Sequence, residues 1–200
     1  NIAVRFCKKG CTVSALNQTT PPFILVDGSY YLFRAFHALP PLTTRDGLPT
    51  NAIKGALNAL NKLMRRFNPT HMAVVFDTPE PTFRHELSAE YKAHRPDMPS
   101  DLSVQIPYLH ATIRALGIPL LAISGVEADD VIGTIVTATR ASQAANIPEV
   151  YVVTGDMDTL QLIQNGVKVY TLRKGMSDVV VYDAAGVHER YGFGPEHVID

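Results

Sequence analysis

Seven carboxylates in this 200-residue chain stand just beyond four apolar runs. Asp27 follows residues 23–26, Asp77 follows 72–76, Glu127, Asp129 and Asp130 follow 119–123, and Asp156 and Asp158 follow 150–154. Runs that are apolar throughout suit strands of a parallel sheet covered on both faces, and such strands share one carboxyl-terminal edge where ligands bind. The spacing therefore predicts that all seven acids converge on one site. Two like charges about 4 Å apart repel by roughly 4 kcal/mol at an effective dielectric near 20, so the cluster needs protons or cations. A hard divalent cation with oxygen ligands meets that need, and Mg²⁺ uses few carboxylates and keeps several waters. No His or Cys accompanies these acids at ligand spacing, which disfavours zinc and softer metals. Two ions about 4 Å apart would stabilise the attacking and leaving oxygens of a phosphoryl displacement, so the implied chemistry is metal-assisted phosphodiester cleavage. Each acid alone has a plainer explanation: Asp27 before Gly28 could start a turn, and Asp129 and Asp130 could complement a helix N-terminus. It is their coincidence at four strand ends that favours a common site.

The elements that must hold these acids alternate between strand and helix. A helix is expected over residues 49–67, with Thr50 as N-cap and Ile53, Leu57, Leu60, Met64 and Phe67 in one stripe. A second is expected over 101–116, with Leu102, Ile106, Leu109, Ile113 and Leu116 inward, Gly117 as its stop and Pro107 as a bend. A third begins near Ala128 and turns Val131, Ile132, Ile135 and Val136 inward. Residues 167–172 and 179–182 bracket a turn around Lys174 and Gly175 and read as an edge hairpin. The fold class is α/β with three layers: a mainly parallel central sheet with helices on both faces.

The chain is 46% apolar and 18% charged with a formal net charge of −1, which excludes a disordered chain, and no apolar run is long enough to span a membrane. Cys7 and Cys11 have no second pair to complete a zinc site or a disulfide framework, so a reducing, cytosolic setting is expected. Residues 1–22 show neither helical nor strand period, contain no acid and close on Pro21 and Pro22, so they read as a tail outside the fold. Net charge near zero means that any nucleic-acid contact must be local. Between Thr78 and Pro99 lie Arg84, His85, Tyr91, Lys92, His94 and Arg95, cations interleaved with an aromatic ring straight after Asp77. That pattern suits a nucleic-acid strand, although Glu80, Glu86, Glu90 and Asp97 leave a solvated helix with local ion pairs open. Lys62, Arg65 and Arg66 could extend a phosphate-tracking surface.

The strings ILVDGSYYLFRAFHALPPLTT, AVVFDTPEPTFRHELSAEYKAHRPDMP, GVEADDVIGT and VVTGDMDTLQL resemble the 5′-3′ exonuclease domain at the N-terminus of bacterial DNA polymerase I, a relative of the flap endonucleases. The likeness runs over residues 23–200. It implies a PIN-like, resolvase-like fold with a helical arch inserted after the second strand. It also implies that Asp27, Asp77, Glu127, Asp129, Asp130, Asp156 and Asp158 are metal-site acids, and that Arg84, Tyr91, Lys92 and Arg95 lie in the arch that grips DNA. Further implied are two Mg²⁺ ions in a complete site, with Mn²⁺ as a substitute. The substrates would be DNA with 5′ ends or flaps and RNA primers, acted on by a monomer in the bacterial cytoplasm, fused to a polymerase. Two departures stand out. The family places Lys between the acids of its GD-K-D motif, where this chain has Met157. The family also continues past this point into a further aspartate pair and a helix-hairpin-helix-like motif, so a piece ending at Asp200 is expected to bind at least one divalent ion yet cleave feebly. A decayed flap-binding module and a PIN-like ribonuclease remain the rival readings.

Overall fold

A computed structural model of the chain describes residues 20–88, 90–94, 96–142, 146–173 and 178–199. The strands β1 (Phe23–Asp27), β2 (His71–Val75), β3 (Leu120–Leu121), β4 (Val150–Val153), β5 (Val167–Leu172) and β6 (Val179–Tyr182) form one sheet in the spatial order β3-β2-β1-β4-β5-β6. Every pairing is parallel except β5 with β6, which is antiparallel at the edge. The strand alternation splits the core. Ile24, Val26 and Val74 pack with α1 (Gly28–Ala38), α2 (Asn51–Phe67) and α5 (Ile106–Ala115) on one face. Leu25, Val75 and Val152 pack with α6 (Ala128–Ala141) and α7 (Ala184–Tyr191) on the other. With both faces covered, Ile24, Leu25 and Val26 are all fully buried, which is why this strand reads as an unbroken apolar run.

The chain moves outward from β1 to β2 to β3, then returns across the sheet to β4 on the other side of β1. The strand order therefore reverses between β1 and β4. At such a switch point the neighbouring connections leave in opposite directions and open a crevice at the carboxyl ends of the strands. Asp27 ends β1 and Asp156 lies just beyond β4, so two of the acids flank that crevice.

Several local expectations change in the fold. The helix expected over 101–116 is two pieces, α4 (Ser100–Ser103) and α5, with Pro107 in the first turn of α5, where its missing N–H is no loss. Between them Gln105 is fully buried: its Oε1 accepts from the N–H groups of Ala52 and Ile53 at 2.9 and 3.2 Å, and its amide donates to Asn51 Oδ1 and the Asp101 carbonyl. Gln105 thus supplies the N-terminal cap of α2 that the Thr50 side chain does not. Leu116 lies past the end of α5 and is 55% exposed rather than inward. On α2 the deepest residues include Ala52, Ala56, Ala59 and Leu63, one step round from the expected stripe, because close packing against α1 selects small side chains. Arg65 and Arg66 sit in the last turn of α2, which leads into the start of β2, so they lie at the sheet edge opposite the acids. The hairpin of β5 and β6 is present, while the turn at Lys174 and Gly175 and the tail up to residue 19 lie outside the described residues.

Candidate metal centre

Asp27 is both a helix cap and the floor of the crevice. It is the N-cap of α1, accepting from the Tyr30 N–H at 2.9 Å through Oδ1, and its Oδ2 accepts from the Thr154 hydroxyl at 2.8 Å. Only 7% of Asp27 is exposed, and burial, opposed by those two hydrogen bonds and reinforced by the charges of Asp77 and Asp156, pushes its carboxyl up to about 6. Asp77 is held from both sides: its N–H donates to Ser29 Oγ at 2.9 Å, and its Oδ1 accepts from the Ala128 N–H at the start of α6. Asp156 N-caps the short 3-10 helix Met157–Leu162, and its Oδ1 accepts from the Asp158 N–H at 3.0 Å.

Asp129, in the first turn of α6, faces these three. Burial first, then the charges of Asp27, Asp156, Asp77 and Glu127, raise its carboxyl to about 7. Its Oδ1 is buried and accepts no hydrogen bond. A buried carboxylate oxygen without a donor costs desolvation that nothing repays, unless a proton or a cation takes the lone pair. The ligand atoms that Asp129, Asp27, Asp77 and Asp156 offer are carboxylate oxygens, which suits a hard divalent cation and not a soft one.

The seven acids lie toward one end of the sheet and engage different partners there. Among the described residues, no three acid, His or Cys side chains close into a preformed cage. Asp27, Asp77, Asp129 and Asp156 face one another across the crevice, and Asp158 is exposed on its outer rim. Asp158 lines, with Asp129, Asp130 and Arg84, a groove of about 650 Å³ along α6. Glu127 and Asp130 turn toward the cationic segment instead. Arg84, on the five-residue helix α3 (Phe83–Leu87), donates both Nη groups to Asp130 at 2.6 and 2.8 Å, and its Nη1 lies 3.7 Å from Glu127. Lys92 Nζ lies 2.6 Å from Glu127 Oε1, and Tyr91 Oη donates to Glu127 Oε2. Arg84 holds the Asp130 carboxyl below its usual range. Of the arch candidates, Arg84 and Lys92 thus neutralise acids here and Tyr91 hydrogen-bonds one of them; Arg95 lies outside the described residues. Met157 puts an apolar side chain against the α6 face of the core where the resemblance implies a cation.

Sequence reasoning passed over Thr154, Ser29 and Tyr30. Thr154 is fully buried and joins two acids, donating to Asp27 and accepting from the Asp156 N–H at 3.1 Å. A hydroxyl closing an apolar strand just before Gly155 was its signal. The Tyr30 ring lies over Gly155, where an added Cβ would come within 2.0 Å of the ring. Gly155→Ala is expected to cost about 1–3 kcal/mol by displacing that ring. Gly133→Ala, in the interior of α6 with only Leu162 at 3.6 Å, is expected to stabilise by up to about 1 kcal/mol. Paired thermal melts check both signs.

The sequence model for the N-terminal resolvase-like domain of 5′-3′ exonucleases matches residues 22–192. This chain belongs to that family. The 5′-3′ exonuclease family resemblance extends to DNA polymerase I of Pseudomonas aeruginosa, 54% identical over 179 residues that cover 90% of this chain and 19% of the relative. DNA polymerase I of Bacillus caldotenax is 44% identical over 177 residues, covering 88% of this chain and 20% of the relative. The chain therefore spans about a fifth of the length of these relatives. Its fold is shared with the flap endonuclease of bacteriophage T5, solved as a pseudo-enzyme-product complex with DNA and metal ions: TM-score 0.64, 19% identity, covering 89% of this chain and 64% of that one.

Proposed function

We propose that residues 23–200 form a metal-dependent 5′-3′ exonuclease and flap-endonuclease domain, with residues 1–22 outside it. The proposed substrates are DNA bearing 5′ ends or flaps and RNA primers, in replication and repair, as part of a DNA polymerase I acting as a monomer in the bacterial cytoplasm. One observation carries the catalytic reading: Asp27, Asp77, Asp129 and Asp156 face one another at the switch point, two of them with raised carboxyl pKa values and one with a buried, unpartnered oxygen. Those four would hold Mg²⁺, or Mn²⁺ in its place, and Glu127 and Asp158 would act through water. Asp130, whose two oxygens Arg84 occupies, stands apart. Bound there, the ions would supply Lewis-acid stabilisation of the oxygens exchanged at phosphorus. Ser29, Thr154 and the Ala128 N–H keep the carboxylates oriented, and Arg84, Tyr91, Lys92 and Arg95 would contact the DNA strand.

The experiment is digestion of a 5′-labelled flap with Mg²⁺, with EDTA as control. Release of the label that stops with EDTA and returns with added Mg²⁺ is expected, even at a low rate. Cleavage indifferent to EDTA, or confined to single-stranded RNA, would overturn the reading.

A further inference from the structure

Asp129 and Asp130 are neighbours in sequence, but successive residues of a helix point about 100° apart. Asp129 looks into the acidic crevice with a bare buried oxygen. Asp130 looks out to α3, and each of its oxygens is already engaged: Oδ1 with Arg84 Nη2 at 2.8 Å, Oδ2 with Arg84 Nη1 at 2.6 Å and with the Glu127 N–H at 3.0 Å. A metal ion reaching Asp130 would have to displace a planar, two-pronged guanidinium contact, one of the stronger hydrogen-bonding geometries open to a carboxylate.

The segment that carries Arg84 has no buried apolar face to hold it. α3 is five residues long and none of them is buried; Phe83 is 42% exposed and Leu87 81%. A helix this short does not sustain itself in water and normally depends on an apolar face, which α3 does not bury. Its grip on the domain is polar: the Phe83 N–H on the Gly125 carbonyl at the start of α3, Arg84 on Asp130, and Lys92 and Tyr91 on Glu127.

We propose that Asp130 is a positioning residue that anchors the cationic segment, residues 83–88 and 90–94, to the first turn of α6 through Arg84, and that of the Asp129–Asp130 pair only Asp129 is a metal ligand. The second half rests on the metal reading above; the first half does not. The pair divides two tasks, one carboxylate for the crevice and one for the cationic segment beside it.

Limited trypsin digestion of the whole chain reads the anchor directly, because Arg84 and Lys92 are themselves cleavage sites. In Asp130→Asn, which keeps the shape and an acceptor for the Glu127 N–H, cleavage after Arg84 and Lys92 is expected to accelerate by about fivefold or more, since proteolysis follows the population of the open form. Cleavage elsewhere, such as after Arg140 and Lys168, should not change, which separates local release from general loosening. Asp130→Glu, keeping the charge, should restore most of the protection. Raising NaCl to about 0.5 M should speed cleavage of the unmodified chain at these sites and leave Asp130→Asn nearly unaffected, because screening weakens a pair that the variant no longer has. Calorimetric titration with Mg²⁺ is expected to give Asp130→Asn a Kd within about threefold of the unmodified chain, and Asp129→Asn a Kd weaker by about tenfold or more. Unchanged trypsin sensitivity in Asp130→Asn overturns the anchor, and equal loss of Mg²⁺ affinity in both variants overturns the division of tasks. If the unmodified chain takes up no Mg²⁺, the metal reading fails together with the second half of the proposal, while the digestion decides the anchor alone.

Discussion

Asp129→Asn is expected to reduce Mg²⁺-dependent flap cleavage by about 10³-fold while making the metal-free protein more stable. The two effects have opposite signs because one carboxylate serves two free energies. For cleavage it is the ligand with a bare buried oxygen, and losing a ligand of ions that contribute several kcal/mol to the transition state costs about three powers of ten. For stability it is a charge held among charges: burial and the fields of Asp27, Asp156, Asp77 and Glu127 lift its carboxyl to about 7. At pH 8 the folded protein must carry that anion against its own neighbours. The amide carries none, so a gain of about 1–3 kcal/mol is expected, discounted from the full shift because the acids respond to one another and because a charge is lost from the first turn of α6. Cleavage rates and EDTA-treated thermal melts at pH 8 check the pair. A fall in both would mean that Asp129 holds the fold together through contacts, and the assignment of its charge to metal binding would fail.

Without metal, the protein is expected to lose stability as pH rises from about 4.5 to 8, contrary to the usual behaviour of carboxylates paired with cations. Asp27 titrates at about 6 and Asp129 at about 7 in the folded state, both from an ordinary value of 3.8. Between those values the folded chain holds protons that the unfolded chain has released, so the slope of unfolding free energy against pH is negative there. The contribution is complete below pH 4 and gone above about pH 7. A fall on the order of 3 kcal/mol is expected, which for a domain of this size is roughly 10 °C in melting midpoint. Asp130 works the other way, its carboxyl lowered by Arg84, but its contribution is lost only as pH falls below the usual carboxylate range, outside this window. Mg²⁺ should remove or invert the slope, because the ions compete with the same protons and bind better as pH rises. Melts at pH 5 and pH 8, with EDTA and with Mg²⁺, measure all four corners. A metal-free protein more stable at pH 8 than at pH 5 would show that the crevice carboxyls are not pushed up by burial and each other.

Much of this was legible in the amino-acid order. Apolar runs buried on both faces announce a parallel sheet, because no side of such a strand can meet water, and the position of each acid just beyond a run assigns it to one end of that sheet. Asp27, Asp77 and Asp156 could therefore be placed before any coordinates, and the strings around them were enough for family likeness. Helix α1 was hidden because Asp27 and Gly28 look like a turn, although Tyr31, Leu32 and Ala35 bury its inner face and Asp27 caps it. Gln105, 53 residues from the Ala52 N–H that it caps, has no local signature, since a long-range hydrogen bond leaves no period in the sequence.

The tertiary structure decided the division among the acids. Residue type and spacing put Asp129 and Asp130 in one site as equals, because one residue along a chain is a negligible distance. One residue along a helix is just over a quarter of a turn, and it sends Asp129 into the crevice and Asp130 to Arg84. The same holds for Arg84 and Lys92: composition marks them as cations for phosphates, but only their ion pairs at the start of α6 show that carboxylates of this chain hold them first. Sequence fixes which charges a protein has and, through burial, which edge they reach; which charge meets which is settled by orientation in three dimensions.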